Sequence, residues 1–305
     1  MTYSIVAHDP HTNQLGVAVQ TCNLAVGNWV PWAEPGVGAV ATQAVAERTY
    51  GTLGLELLRG GLSPQEALDA LLAADERREF RQVSIVDTQG RIATHTGSRV
   101  LSNAGSCPGD GFCTQANMMA RDTVWGAMAK AYQNSSGDLA GRLLTALQAA
   151  EAEGGDIRGR QTAALLVVDA RLGHSRESQF PLVDLRVDFH PDPVGELGRM
   201  LQLHRAYTTE YTIRHHAENG RQELAYELLQ EIARWAPDQA YLQYLSALHL
   251  AGRLDRWQEG LDLMRDLLQK KPVYREYLRR DAAIDHFDSG GVSARLLKQL
   301  MEEEA

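Results

Sequence analysis

Three cysteines in 305 residues, Cys22, Cys107 and Cys113, are too few for a disulfide framework and follow no zinc-ligand spacing. Their odd number, with no signal-peptide pattern at the start, leads us to expect reduced thiols and a cytoplasmic protein. Cys107–Cys113 is the one disulfide worth considering. No apolar run approaches the roughly 18 residues needed to span a bilayer, so no membrane partner is expected. Positive charge is short as well. Thirty basic against 39 acidic residues give a formal charge of -9, and the basic ones are scattered. A general nucleic-acid binder needs a basic patch. Ten histidines show no HExxH or paired ligand spacing, so no metal is expected. No Walker or dinucleotide glycine motif occurs, so no cofactor is expected.

What is present is an ordinary soluble composition, 44% hydrophobic and 23% charged. The length suits one medium domain and a smaller one. Thr2-Tyr3-Ser4-Ile5-Val6-Ala7 reads as a strand that turns through Asp9-Pro10-His11-Thr12-Asn13 and returns as Leu15-Gly16-Val17-Ala18-Val19-Gln20. Pro31 to Gly36 reads as an irregular link. Val37 to Thr42 is a short, β-leaning run bounded by glycine. A helix near Thr52 to Arg59 should close at Gly60-Gly61. A second opens at Ser63-Pro64-Gln65-Glu66, a capping box with proline at the first helical position. Gln82 to Asp87 and Arg91 to Thr96 form a hairpin about Thr88-Gln89-Gly90. Gly105 to Gly111 reads as a loop leading to a short strand, Phe112 to Gln115. Helices follow at about Asp122 to Tyr132 and Asp138 to Glu153. Thr162 to Val168 is apolar on both faces, as a central strand is, and Leu182 to Val187 fits a last strand. Strand clusters interrupted by two helix pairs suit a layered α+β domain over residues 1–190.

Strand signals stop at Asp192-Pro193, a plausible helix start, and residues 191–305 read as an all-α region. Leu224 to Leu229 leads to Trp235-Ala236-Pro237, and Glu259 to Met264 leads to Lys270-Lys271-Pro272. Ala225 and Gly260 hold equivalent small positions, 35 residues apart, with Tyr244 and Ala251 at packing positions between them. The pattern resembles about two degenerate tetratricopeptide repeats with a closing helix at Val292 to Glu304; a plain helical bundle is the other reading.

Candidate chemistry begins at Thr2. Once Met1 is removed, Thr2 carries a hydroxyl and a free α-amine of pKa near ~8 that can take the hydroxyl proton. Ser4 is a second candidate nucleophile. Gln43, Gln115 and Asn117 are polar residues at the ends of apolar strands, able to supply an oxyanion hole or substrate contacts, or simply to satisfy strand-end backbone groups. Asp156, Arg158 and Arg160 precede the central strand, where they would clamp a substrate carboxylate or form structural ion pairs. Cys22 has no base beside it in sequence and reads as packing.

The element order resembles that of N-terminal-nucleophile (Ntn) hydrolases, and more closely an Ntn-hydrolase-like family of bacterial and archaeal proteins of unassigned function. The resemblance is carried by Thr2-Tyr3-Ser4-Ile5-Val6-Ala7, Leu24-Ala25-Val26-Gly27, Gly36 to Gln43, Thr49-Tyr50-Gly51 and Gly155-Asp156-Ile157-Arg158-Gly159-Arg160-Gln161, with Gln115-Ala116-Asn117-Met118 between them, where the family has Gly at the position of Ala116. It implies a four-layer αββα sandwich and hydrolysis of a C–N amide bond in a small molecule or short peptide, with Thr2 as nucleophile. Proteasome-type members also carry an Asp near the position of Thr21 and a Lys on the third strand, and Val37 to Ala46 has no lysine. The alternative expectation is therefore a non-catalytic binding or scaffold protein on the same fold. On either reading, residues 193–305 would dock a protein partner or support a homo-oligomer, most simply a dimer.

Overall fold

A computed structural model describes residues 2–171, 179–287 and 289–303. The expected removal of Met1, and Glu304 as the end of the last helix, lie outside the described residues. The chain divides into two compact units, Met1–Leu201 and Gln202–Ala305.

The first unit is mixed α/β with two antiparallel sheets. Its strands are β1 (Thr2–Asp9), β2 (Gln14–Thr21), β3 (Pro31–Glu34), β4 (Gly38–Ala44), β5 (Arg81–Asp87), β6 (Ile92–Thr96), β7 (Gly105–Gly109), β8 (Phe112–Asn117), β9 (Thr162–Asp169) and β10 (Val183–Val187). The large sheet runs β10-β9-β2-β1-β8-β7 and the small one β3-β4-β5-β6. β1 is therefore interior, and all eight of its residues are buried. Alternation sorts its side chains. Tyr3, Ile5 and Ala7 join one core with α3 (Val124–Asn134) and α4 (Leu139–Ala152). Val6 turns the other way and meets Ala39 and Ala41 of β4 and Val86 of β5, so the two sheets face each other. The outer face of the small sheet packs Val40, Val83 and Ile85 under α1 (Thr49–Arg59) and α2 (Pro64–Ala74).

Local chemistry explains the helix ends. Ser63 and Glu66 form the expected reciprocal capping box, with Pro64 at the first turn. Asp138 caps α4 by accepting from the Gly141 amide at 2.8 Å. Gly16 lets α4 approach β2 closely: a Cβ there would sit 2.6 Å from Leu143 Cδ1.

Two segments differ from expectation. Pro31 to Gly36, read as an irregular link, contains β3, and Gly105 to Gly111, read as a loop, contains β7. Each is the edge strand of its sheet. Pro31 opens β3 and Pro108 lies within β7, positions where proline loses no ladder partner on the outer side. Helix α1 also starts at Thr49, earlier than expected.

Helix α5 (Pro193–Glu218) starts as expected, with Asp192 accepting from the Gly195 amide at 3.2 Å. Its first turns place Val194, Leu197 and Leu201 in the core with α3 and α4, so the first unit extends past residue 190 to Leu201.

The second unit is helical. It contains α6 (Gln222–Trp235), α7 (Ala240–Gly252), α8 (Trp257–Lys270), α9 (Val273–Ile284) and α10 (Val292–Glu303). Helices α6 and α8 have equal length, and each is followed closely by a proline, Pro237 and Pro272. Ala225 and Gly260 are both buried, and a Cβ on Gly260 would meet the Ala247 carbonyl at 2.6 Å. Among the described residues, no helix is long and apolar enough to cross a membrane.

Candidate functional site

Antiparallel pairing brings four strand ends together. Thr2 at the start of β1 lies opposite Thr21, which ends β2, and Asn117, which ends β8; Thr21 in turn pairs with Thr162, which opens β9. On the facing sheet Gln43 pairs with Gln82, and Gln82 with Thr96. This end of the inter-sheet layer is polar because each of these positions falls on the inward side of its strand.

The buried polar groups form one hydrogen-bonded network. Gln43 Nε2 donates to the Thr2 carbonyl at 3.2 Å and to Gln82 Oε1 at 2.8 Å. Asn117 Nδ2 donates to the same two oxygens, at 3.3 and 2.9 Å. Gln82 donates onward to the Ala116 carbonyl at 2.9 Å and Thr96 Oγ1 at 3.0 Å. Ser4 Oγ donates to Gln43 Oε1 at 2.7 Å and accepts from Gln115 Nε2 at 3.2 Å. Ser84 Oγ donates to Gln115 Oε1 at 2.8 Å. Among the described residues, none of the network's side-chain nitrogens and oxygens is buried without a partner. The amide hydrogens of Gln43 and Asn117 are thus committed to the Thr2 carbonyl and to Gln82.

A cavity of about 380 Å³ opens at this end, within the range of small-molecule pockets. Thr2, Thr21, Asn23 and Gln43 supply its polar wall. Leu24, Val26, Trp29 and Val30 supply the apolar wall, with Ala44 and Ala46 at the rim. Thr2 Oγ1 donates to Thr21 Oγ1 at 3.2 Å. Ser4 is fully buried and does not line the cavity.

Backbone strain gathers here. Seven non-glycine residues among those described have positive φ. Four are Asn13, Asn103, Asp255 and Asp285, types that tolerate the left-handed region. The other three are Ala25 (φ 54°), Ala44 (φ 69°) and Met118 (φ 55°). Ala25 lies between Leu24 and Val26 of the cavity wall, Ala44 lines the rim, and Met118 follows Asn117. Such conformations persist where surrounding structure over-determines them, often at functional sites.

The charged residues singled out from sequence are tied down beside the cavity and do not line it. Asp156 is buried, accepting from the Cys22 amide at 3.2 Å and the Arg158 amide at 2.9 Å, and its carboxylate pairs with Arg158 at 3.1 Å. Arg160 pairs with Glu151 and with Asp192 at 3.8 Å. Glu151 also accepts from the Tyr3 hydroxyl. Burial first, and then the Glu151 charge, push that hydroxyl well above the usual tyrosine range. At the rim, Arg81 Nη1 donates to the Val45 carbonyl at 2.7 Å while its Nε donates to Asp75 at 2.7 Å. That Arg81 hydrogen bond holds the Asp75 carboxyl down at about 2. All three cysteines are free, so Cys107 and Cys113 form no disulfide, and burial pushes the Cys113 thiol up. No group of three or more metal-ligating side chains is assembled among the described residues.

Sequence reading missed Gln82, the hub of the network, and Trp29 and Asn23 of the cavity wall. Only Gln82 left a signal: with Ser84 it puts two polar residues on one side of the strand, opposite Val83 and Ile85.

The chain belongs to a family of unknown function, DUF1028, whose model matches residues 2–197. Its structure is similar to the crystal structure of protein SPO2555 from Silicibacter pomeroyi, assigned to the same family. The two share 36% identity and a TM-score of 0.59 over 66% of this chain and 88% of that one. Comparison with curated proteins gives no match.

Proposed function

We propose that the first unit is an Ntn-type αββα sandwich and that the protein is an amidohydrolase using Thr2 as its nucleophile. One observation carries this reading: Thr2, the first residue of an interior strand, lines a cavity at the edge of the inter-sheet layer while its carbonyl is held by two side-chain amides. Ser4 is set aside because its hydroxyl is fully buried and engaged on both sides.

In this mechanism Met1 is removed and the neutral α-amine of Thr2 takes the proton from Oγ1. Oγ1 attacks the amide carbonyl carbon and the tetrahedral oxyanion forms. The C–N bond then breaks, and the amine leaves with the proton held by the α-amine. The resulting ester on Thr2 is hydrolysed by water, which gives a carboxylic acid and restores the hydroxyl. Gln43 and Asn117 act as positioning residues, since their hydrogens are spent on the Thr2 carbonyl and on Gln82 Oε1. We assign the oxyanion to the Asn23 side-chain amide, because Asn23 lines the cavity and its Oδ1 accepts from Arg158 at 3.5 Å.

The second unit we read as degenerate tetratricopeptide-like repeats, with α6 and α8 as equivalent second helices and α7 as the first helix paired with α8, closed by α10 and docking a protein partner. A non-catalytic scaffold is the second reading, favoured by the absence of any charged side chain among the residues lining the cavity. One experiment separates the two. Chains beginning at Thr2 are compared with chains that retain a blocked residue 1, using an acyl-transfer probe and intact-mass detection. The nucleophile reading expects one acyl adduct on Thr2 in the first and none in the second. Equal labelling, or none in either, favours the scaffold.

A further inference from the structure

The lining of the Thr2 cavity limits what can be held beside the nucleophile. We propose that this group is uncharged and apolar, so that the substrates are neutral N-acyl amides with an aliphatic or aromatic acyl group; this rests on Thr2 being the nucleophile. The segment after β2 builds one wall from Leu24, Val26, Trp29 and Val30. Leu24 and Trp29 are 61% and 48% exposed, large apolar surfaces left open at the mouth.

The wall is fixed in place. The Ala25 amide donates to the Asp188 carbonyl at 3.3 Å, and Asn28 Oδ1 accepts from Arg186 at 2.9 Å. Ala25 itself is held at positive φ, which turns its neighbours Leu24 and Val26 to the cavity.

The polar lining, Thr2, Thr21, Asn23 and Gln43, is neutral throughout. The nearby charges lie outside the lining. Asp156 and Arg158 pair with each other, and the Arg48 guanidinium lies 5.2 Å from the Trp29 ring centre and 5.8 Å from that of Trp32. In the productive complex the Thr2 α-amine is neutral, because it must take the hydroxyl proton, so there it offers a carboxylate no counter-ion. A carboxylate or ammonium entering the cavity would lose hydration without meeting an opposite charge in the lining. An acyl chain would cover Leu24 and Trp29.

The test uses the full chain beginning at Thr2, checked by mass, with four 4-nitroanilides: hexanoyl, phenylacetyl, glutaryl and 6-aminohexanoyl. The neutral pair should exceed the charged pair in kcat/KM by about 100-fold or more. Trp29→Ala should lower the neutral rates about tenfold or more. Equal rates for hexanoyl and glutaryl would overturn the substrate class while leaving the nucleophile intact. So would a glutaryl preference that disappears in Arg48→Ala. If no anilide turns over, the hydrolase reading fails, and binding decides the class by itself. Hexanamide and glutaramate are then titrated against tryptophan fluorescence, with Trp29→Phe as the control for the responding ring. Binding of hexanamide at least about tenfold tighter upholds a neutral apolar site, and equal or tighter binding of glutaramate overturns it.

Discussion

The space between the two sheets has two ends, built from the same strands by the same alternation. At the Thr2 end the inward positions are Thr2, Ser4, Gln43, Gln82, Ser84, Gln115 and Asn117. Further along the same strands they become Val6, Val17, Leu15, Ala39 and Val86, which form a dry apolar cluster. The apolar end gains from burial, roughly 1.5–3 kcal/mol for each large side chain removed from water. The polar end gains much less, since each hydrogen bond only replaces one made to water. What it adds is position: seven buried side chains with matched donors and acceptors allow few arrangements, and one of them fixes the Thr2 backbone at a cavity mouth. One end stabilises the unit, and the other orients its first described residue.

Substitutions should separate the two ends. Leu15→Ala in the fully buried apolar end should cost about 2–5 kcal/mol in chemical denaturation and leave the activity per folded molecule unchanged. A cost under about 1 kcal/mol would mean that this end is not where stability resides. Gln82→Leu leaves the hydrogens of Gln43 and Asn117 without their shared acceptor, so about 1–3 kcal/mol should be lost. Because Thr2 is then less well held, kcat should fall more than KM rises. A purely thermal effect, with kinetics intact, would remove the positioning role.

Acid should act on the rim before the network, which has no ionisable side chain. Asp75 is held at about 2 in the folded protein by Arg81, below its ordinary value near 3.8. The unfolded chain therefore binds more protons between those values. This contribution is complete above pH ~4 and is lost as pH falls through about 2; after solvent screening it is on the order of 1 kcal/mol. Asp75→Asn should flatten the stability-against-pH curve in that window, and an unchanged slope would assign it to other carboxylates. The smallest effect belongs to Ala44→Gly. Relief of left-handed strain, about 1 kcal/mol, is offset by about 0.4–1 kcal/mol of added unfolded-chain entropy. Stability should stay nearly constant while turnover falls as the rim loosens. A clear loss of stability would show that the Ala44 methyl packs.

How much was legible follows from which forces act locally. The opening hairpin, the Ser63 capping box, the Asp138 cap and the doubly buried Thr162–Asp169 strand each announce themselves within a few residues, through period, caps and turn chemistry. The edge strands β3 and β7 do not. Their proline and glycine content reads as loop, and only a neighbouring strand makes them extended. The polar residues Gln43, Gln115 and Asn117 were visible as oddities at strand ends, but their task was not. Read alone they suit oxyanion donors and strand-end satisfiers equally; the structure commits their hydrogens to Thr2, Gln82, Ser4 and the Ala41 carbonyl. Asp156, Arg158 and Arg160 read either as a substrate clamp or as structural ion pairs, and the structure pairs them with each other, with Glu151 and with Asp192.

The sequence by itself determined which segments are strands and helices in the interior, which faces of them are apolar, and that a hydroxyl residue opens the first strand. Those are consequences of side-chain period and backbone propensity, which act over a few neighbours. Only the tertiary structure decided that Thr2 meets Asn117 and Gln43, and that Leu24 to Val30 folds over to wall a cavity beside it. Pairing register and sheet-on-sheet packing join residues more than a hundred positions apart, and no local property of the chain encodes which polar groups they will satisfy.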